Sequence, residues 1–199
     1  MQGDFFHFVQ NKINKGFDIF GSNIEQPKVK TNKISYSDYQ DELRKLIRYT
    51  REEKMTDGNH HSFFVFGPVG NGKTQLTEQV AEEEDCVYHK LEIQKVPIEI
   101  LQGFPYLKEV EDKNGETMTI AKLAPSTILP PSDDDRTWVL HFDEFNKADA
   151  DKMAAVMNLA KSGELGGSAD YSEVEKKSKK YKLPKKTVII GSGNMKEGE

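Results

Sequence analysis

Residues 63–74 read FFVFGPVGNGKT, an apolar run that stops in a glycine-rich loop and ends on Lys73 and Thr74. The loop fits the pattern GxxxxGK[ST] and lies between a predicted strand and a predicted helix, as that pattern requires. Glycines let the backbone curl so that successive N–H groups point at phosphate oxygens. The N-terminus of the helix adds a partial positive charge. This stretch therefore predicts a nucleotide phosphate site.

The chemistry of the pattern assigns a role to the residues at its end. We expect Lys73 to bridge the β and γ phosphates and the Thr74 hydroxyl to bind Mg²⁺. The residues predicted to hold the nucleotide are Gly67, Pro68, Val69, Gly70, Asn71, Gly72, Lys73, Thr74 and Gln75.

An acidic pair follows a second strongly apolar segment. WVLHF (138–142) predicts a buried strand, and Asp143 and Glu144 come directly after it. An aspartate at a strand tip beside a phosphate loop can hold Mg²⁺ through water. Glu144 points differently and can polarise a water for in-line attack on a γ-phosphate; alternatively, it caps the following helix. The pair favours a hydrolytic site over a phosphotransferase.

Asn194 ends a further apolar strand, TVIIGSGN (187–194). A neutral amide at that tip can donate to a γ-phosphate and accept from the attacking water, which would make Asn194 a sensor of the γ-phosphate. Asn after a strand is also common as a turn residue. The order of the phosphate loop, the acidic pair and this strand favours the sensor role.

Predicted strands alternate with predicted helices from residue 36 onward, and the strands are nearly continuous apolar runs. This pattern indicates an α/β protein with a parallel sheet that is buried on both faces. Ligands of such sheets bind beyond the carboxyl ends of the strands. We therefore expect the glycine loop, the acidic pair and Asn194 to meet at one edge of the sheet.

The N-terminal region has a different pattern. Apolar residues recur at spacings of three and four, which predicts an amphipathic helix over residues 1–20. That helix would pack on its own domain or dock another subunit or protein. Residues 21–35 are polar, contain a proline and are predicted to be a linker. The residues that define the apolar face are Phe6, Val9, Ile13, Phe17 and Phe20.

Composition limits the compartment and the partners. The chain has 199 residues, a net charge of −5 and a single cysteine, Cys86. One cysteine permits no internal disulfide and suits a reducing compartment. No stretch approaches the roughly 18 apolar residues that span a bilayer, and the N-terminus lacks the pattern of a secretory signal. We expect a cytoplasmic protein that does not enter the membrane.

One basic concentration departs from the acidic average. KKSKKYKLPKK runs from Lys176 to Lys186 and contains a single aromatic residue. Lysines around an aromatic ring can bind nucleic acid. A solvated hairpin between a helix and the last strand is the favoured interpretation, because the net charge argues against a general nucleic-acid binder.

Together these motifs resemble those of the AAA+ ATPases, and within them the MoxR-like group. GPVGNGKT (67–74) resembles the Walker A motif, HFDEFNKA (141–148) the Walker B stretch, and TVIIGSGN (187–194) the sensor 1 strand. GFPYLKE (103–109), followed by an Asn-Gly hairpin and a proline-rich loop, resembles the insertion that precedes Walker B in this group. The resemblance covers roughly residues 36–194.

The resemblance implies a three-layer αβα P-loop domain with five parallel strands in the order 5-1-4-3-2. It implies Mg²⁺-dependent binding and hydrolysis of ATP, with Lys73, Glu144 and Asn194 catalytic and with Thr74 and Asp143 at the metal. It also implies ring oligomers, commonly hexamers, that remodel or load other proteins. A von Willebrand factor A domain protein is a frequent partner in this group.

Two departures from the family pattern affect these expectations. Lys147 stands where arginine is common. In the family, the arginine finger, the fifth strand and a helical lid lie beyond the sensor 1 strand. The domain at 36–199 is therefore expected to be truncated after Asn194 and to lack its C-terminal lid. An apolar strand would then be exposed at the sheet edge.

Two functions from different classes remain open from the sequence. The first is ATP hydrolysis by an oligomeric remodelling or loading machine. The second is a nucleotide-gated binding module with little turnover, in which ATP orders a surface that docks a protein or nucleic acid. The missing arginine finger motivates the second, since such a residue is worth about 10³–10⁵ in rate in related enzymes.

Overall fold

The computed structural model describes residues 6–10, 32–52, 60–111, 114–124, 126–165 and 181–194. Its helices are α1 (Tyr36–Glu52), α2 (Lys73–Glu83), α3 (Ile98–Gln102) and α4 (Ala150–Ser162), with a 3-10 helix at Phe145–Lys147. Its strands are β1 (Phe6–Gln10), β2 (Asn32–Ile34), β3 (His61–Gly67), β4 (Val87–Glu92), β5 (Phe104–Glu111), β6 (Thr117–Ala124), β7 (Trp138–Asp143), β8 (Glu164–Leu165), β9 (Tyr181–Lys182) and β10 (Thr187–Asn194).

A six-stranded sheet forms the centre of the molecule, in the order β2-β1-β3-β10-β7-β4. Strands β3, β10, β7 and β4 pair in parallel. The residues of β3, β7 and β10 are mostly buried, which agrees with their apolar runs in the sequence, whereas the edge strand β4 is mostly half-buried. The predicted α/β class with a parallel central sheet is therefore confirmed.

Helices cover both faces of this sheet. Alternate residues of a strand point to opposite faces, so each strand contributes to two cores. On one face α1 and α2 pack on Phe63, Val65 and Val139. On the other face α3 and α4 pack on Phe64, Leu140 and other strand residues, which alternate with those of the first face. The result is the expected three-layer αβα arrangement.

Local signals set the ends of the two longest described helices. Ser35 and Asp38 form a reciprocal cap at the start of α1: the Asp38 N–H donates to Ser35 Oγ, and the Ser35 N–H donates to Asp38 Oδ2. Asp149 accepts from the Lys152 N–H at the start of α4, and Gly163 ends it at a φ of 66°. Such caps satisfy backbone groups that have no partner within the helix.

The predicted N-terminal helix is wrong at Phe6–Gln10, which forms a strand paired antiparallel with β3 and with β2. The predicted linker is likewise wrong at Asn32–Ile34, which is β2. The pairing with β1 satisfies backbone groups that β3 would otherwise present at an open edge, and β2 in turn pairs with the other edge of β1. A short apolar run can form either a helix or a strand, and here the available pairing with β3 favours the strand. The rest of the predicted helix and linker lies outside the described residues.

The same pairing changes the expected sheet. Strands β3, β10, β7 and β4 occupy the positions expected for strands 1, 4, 3 and 2. The position expected for a fifth parallel strand is held by antiparallel β1. The edge of β3 is therefore covered by β1, which comes from the N-terminal region of the sequence. The exposed apolar edge predicted for β3 is not found.

Two small hairpins lie outside the main sheet. Strands β5 and β6 pair antiparallel around the predicted Asn-Gly turn, where Gly115 has a φ of 80°. Phe104, Tyr106 and Leu107 are exposed on this hairpin. Strands β8 and β9 also pair antiparallel, and β9 lies within the basic segment, of which residues 176–180 lie outside the described part. In the part of the chain that is described, no helix has the length and apolarity to cross a bilayer.

Gly191 provides a test of the packing between the sheet and the α4 side. It pairs with Phe64 across β10 and β3, and a Cβ at this position would overlap the Phe64 ring. That ring is itself packed on Phe145, with ring centroids 4.9 Å apart. We expect Gly191→Ala to lower the free energy of unfolding by about 1–3 kcal/mol, measured by urea denaturation.

The double mutant Gly191→Ala/Phe64→Leu identifies the cause. If the ring is the obstacle, Gly191→Ala costs less in the Phe64→Leu background than in the wild type. Equal costs in the two backgrounds would show that the glycine is needed for another reason.

Candidate functional site

A cleft of about 550 Å³ opens at the carboxyl ends of the parallel strands. The last residues of β4, β7 and β10 line it, together with the glycine loop that follows β3. This is the place where open parallel sheets bind their ligands. The lining residues are Val69, Gly70, Asn71, Gly72, Lys73, Thr74, Gln75, Glu92, Lys95, Asp143, Glu144 and Asn194.

The loop between β3 and α2 depends on glycine at two positions. Gly70 and Gly72 have φ values of 78° and 81°, in the left-handed region where residues with a Cβ are strained. The Gly72 carbonyl then accepts from the Leu76 N–H at 2.8 Å, which begins α2. The loop thus turns directly into a helix N-terminus that faces the cleft.

Lys73 is held at the centre of the loop. Its side chain is buried, and its Nζ donates to the carbonyls of Gly67 and Pro68 at 3.0 and 2.8 Å and to Asn71 Oδ1 at 3.1 Å. It also donates to Asn194 Oδ1 at 3.2 Å. Burial lowers the pKa of Lys73, although the charge of Asp143 acts in the opposite direction. Gly67 and Pro68, predicted to hold the nucleotide, contribute these carbonyls and do not line the cleft.

Thr74 and Asp143, the two residues predicted at the metal, are in contact. The Thr74 hydroxyl donates to Asp143 Oδ2 at 3.1 Å. Both groups are hard oxygen donors, and Mg²⁺ is commonly held by one or two such protein ligands plus phosphates and water. The pair therefore fits a Mg²⁺ ion. Among the described residues, no cluster of three or more His, Cys, Asp or Glu side chains forms another metal site.

Several donors stabilise the Asp143 carboxylate. Burial raises its pKa, but hydrogen bonds from Ser192 Oγ at 2.7 Å and the Glu144 N–H at 3.0 Å act against burial. Nearby His141 and the Thr74 hydroxyl act in the same direction as those bonds. The pKa of Asp143 is therefore below its ordinary value. The carboxylate is charged, as a metal ligand must be.

Glu144 has an unusual backbone conformation. Its φ is 54°, in the left-handed region that residues other than glycine rarely adopt. It precedes the 3-10 helix at Phe145–Lys147, yet its side chain makes no capping hydrogen bond. Lys147 Nζ donates to Glu144 Oε1 at 2.6 Å. The alternative interpretation of Glu144 as a helix cap is therefore not supported, and its side chain belongs to the cleft.

Asn194 is fixed by a residue that the sequence analysis did not single out. Asn146 Nδ2 donates to the Asn194 carbonyl at 2.7 Å, and the Asn194 N–H donates to Asn146 Oδ1 at 3.3 Å. These two bonds clamp the end of β10 to the segment after β7. The Asn194 side chain is left to reach Lys73.

Glu92 and Lys95 were also missed. Glu92 is the last residue of β4, pairs with Asp143 on β7 and forms an ion pair with Lys95 at the rim of the cleft. Like Asp143 and Asn194, Glu92 is the last residue of a strand in the parallel sheet. Strand VYHKLE (87–92) mixes polar and apolar residues and lacks a continuous apolar run. The sequence pattern therefore did not identify its last residue as part of the site.

The described residues of the basic segment, 181–186, do not line this cleft. Of its described lysines, Lys182 pairs with Glu164 at 2.7 Å and Lys186 donates to the Asp135 carbonyl at 3.3 Å. Its residues 176–180 lie outside the described part of the chain.

Likenesses to solved structures are distant. No protein-family model and no curated protein matches this sequence. NtrX from Brucella abortus is similar over 80% of this chain and 34% of its own, with 14% sequence identity and a TM-score of 0.40. A protein from Cytophaga hutchinsonii described as a candidate ATPase is similar over 82% of this chain and 44% of its own, with 13% identity and a TM-score of 0.39.

This chain therefore spans less than half the length of either protein. The α/β assignment rests on the parallel strand order and on the helices that cover both faces of the sheet.

Gly72 gives a test of the loop backbone. A Cβ at this position would meet no heavy atom within 4 Å, so the penalty of a side chain comes from its left-handed φ alone. We expect Gly72→Ala to lower the free energy of unfolding by roughly 1–2 kcal/mol. Gly72→Asn should cost less, because Asn tolerates this conformation better. Thermal denaturation of the two variants measures the order, and equal losses would contradict the backbone explanation.

Proposed function

We propose that this protein binds ATP with Mg²⁺ and hydrolyses it, as a member of the MoxR-like group of AAA+ ATPases. One observation carries the proposal. Lys73, Thr74, Asp143, Glu144 and Asn194 come from three separate parts of the sequence and line a single cleft at the carboxyl ends of parallel strands. They stand in the order and context of a phosphate loop, a metal-binding aspartate with its adjacent glutamate, and a sensor.

The glycine loop and Lys73 would bind the phosphates. The backbone N–H groups of residues 69–75 lie at the turn into α2, where the helix dipole favours an anion. Lys73 supplies the positive charge, and its partners in the structure are neutral oxygens of carbonyl and amide groups. A polyphosphate competes well with such neutral acceptors, because charged hydrogen bonds are roughly twice as strong as neutral ones.

Thr74 and Asp143 would hold Mg²⁺. The metal, when bound, neutralises charge on the β and γ phosphates. Asp143 is kept ionised by its hydrogen bonds, and Thr74 Oγ1 is within hydrogen-bond distance of it. Both oxygens thus belong to one small region of the cleft wall.

Glu144 would accept a proton from the attacking water. Lys147 donates to Glu144 Oε1, which fixes the side chain and leaves Oε2 as the oxygen for the water. Asn194 would orient that water and report the γ-phosphate through its contact with Lys73. Glu144 directly follows Asp143 at the end of β7, and Asn194 ends the neighbouring strand β10.

The chain would work as a ring oligomer, with the hexamer as the expected form. Its four arginines are Arg44, Arg48, Arg51 and Arg136, and none of them lines the cleft. Each is bonded elsewhere, to Glu83, to Glu84 or its carbonyl, or to Asp134. In this proposal, an arginine of a neighbouring subunit would stabilise the developing charge. A remodelled protein substrate, with or without a von Willebrand factor A domain partner, completes the proposal.

Glu144→Gln separates binding from hydrolysis. The amide keeps the size of the side chain but cannot accept a proton, so ATP affinity should remain within about threefold while turnover falls by about 10²–10⁴. Lys73→Ala should instead lose affinity. Fluorescent ATP binding and phosphate release measure the two quantities. Undiminished turnover in Glu144→Gln would contradict the role of Glu144.

A nucleotide-gated binding module is the second candidate, favoured by the absence of arginine from the cleft. Protein concentration distinguishes the two. Specific activity that rises with concentration supports an oligomeric ATPase, because a neighbouring subunit then completes the site. Stoichiometric ATP binding with no turnover at any concentration supports the module.

A further inference from the structure

We propose that a buried chain of hydrogen bonds, from Tyr88 through His141 and Ser192, positions the Asp143 carboxylate for Mg²⁺. The inference rests on the proposed function, because it assigns positioning residues to the same metal site. No role for any of these three residues was predicted from the sequence. His141 in particular interrupts an otherwise apolar buried strand.

The chain of hydrogen bonds crosses three neighbouring strands. Tyr88 lies on β4, His141 on β7 and Ser192 on β10. Tyr88 Oη is 2.8 Å from His141 Nδ1, and His141 Nε2 is 2.8 Å from Ser192 Oγ. Ser192 Oγ is 2.7 Å from Asp143 Oδ1. His141 and Ser192 are fully buried, so their polar atoms depend on these contacts.

The chemistry fixes the direction of every bond in the chain. A carboxylate only accepts, so the Ser192 hydroxyl donates to Asp143. The Ser192 oxygen is then free to accept from the His141 Nε2–H. A neutral imidazole with its proton on Nε2 accepts at Nδ1, so the Tyr88 hydroxyl donates there. All three donors point toward Asp143.

This arrangement determines which carboxylate oxygen faces the metal. Oδ1 accepts from Ser192 and from the Glu144 N–H, while Oδ2 faces the Thr74 hydroxyl. Two donors on Oδ1 oppose rotation of the carboxylate. Oδ2 is thereby held beside Thr74, where the proposed function places Mg²⁺.

Because these groups are buried, the hydrogen bonds of this chain depend on one another. A buried polar group left without its partner costs about 1–3 kcal/mol. If Ser192 loses its hydroxyl, Asp143 loses a donor and the His141 Nε2–H loses its acceptor. If Tyr88 loses its hydroxyl, His141 Nδ1 is left unpaired, and the imidazole tautomer that donates to Ser192 loses one of the two hydrogen bonds that favour it. A change at Tyr88 therefore reaches Asp143 without touching it.

Metal affinity in the nucleotide complex tests the proposal. We expect Ser192→Ala to weaken Mn²⁺ binding to the protein–ADP complex by about 10–100-fold, the usual effect of removing a hydrogen-bond partner of a metal ligand. Tyr88→Phe should weaken it less, since the Ser192 bond to Asp143 remains. Affinity for ADP without metal should stay within about twofold of the wild type in both. Electron paramagnetic resonance of free Mn²⁺ measures the first quantity, and fluorescent ADP binding in EDTA the second.

Two matched variants serve as controls. Ser162→Ala removes a hydroxyl that bonds the Asn158 carbonyl, and Tyr181→Phe removes one that bonds the Pro130 carbonyl. Neither residue lines the cleft, so Mn²⁺ affinity should equal that of the wild type.

The outcomes separate this inference from the proposed function. If the wild type binds Mn²⁺–ADP and Ser192→Ala and Tyr88→Phe bind it equally well, the hydrogen-bond chain has no positioning role and the nucleotide site stands. If the wild type binds no nucleotide, the proposed function fails, and this inference fails with it. If Ser192→Ala does not fold, Tyr88→Phe decides, because it removes a single atom and keeps the ring.

Discussion

The parallel pairing of β3 with β10, and of β10 with β7, is the constraint on which the rest of the structure depends. It sets Asn194 opposite Gly67 and aligns Gly191 with Phe142 on the other side. Because parallel strands run in one direction, everything that follows them emerges at the same edge. The glycine loop, the acidic pair and Asn194 are therefore neighbours in space, although they are separated by most of the chain.

The polar groups at this edge are hydrogen-bonded to one another and to the backbone. Lys73 is surrounded by oxygens, and Asp143 accepts from Ser192, Thr74 and the Glu144 N–H. Burial of these charges without partners would cost several kcal/mol. The hydrogen bonds remove most of that cost and also fix the side chains, so stability and preorganisation of the site have the same physical origin.

Much of this could be predicted from local pattern. The loop at 67–74 depends on glycine conformations and on spacing within eight residues, and the strand tips at Asp143 and Asn194 follow apolar runs. The strand at Phe6–Gln10 could not be predicted in this way. Its apolar residues fit a helical period, whereas the deciding factor is the free edge of β3, more than 50 residues away in the chain. Local periodicity reports which face is apolar and carries no information about a distant pairing partner.

By itself, the sequence determined the glycine-rich loop, the order of the acidic pair and the last strand, and an α/β architecture. These follow from backbone conformation and hydrophobic period, which are properties of short segments. Only the tertiary structure decided that Asn146 clamps Asn194, that Glu92 lies beside Asp143, and that Tyr88, His141 and Ser192 form one chain. Those relations join residues on separate strands, and the sheet register that brings them together is formed only when the whole domain folds.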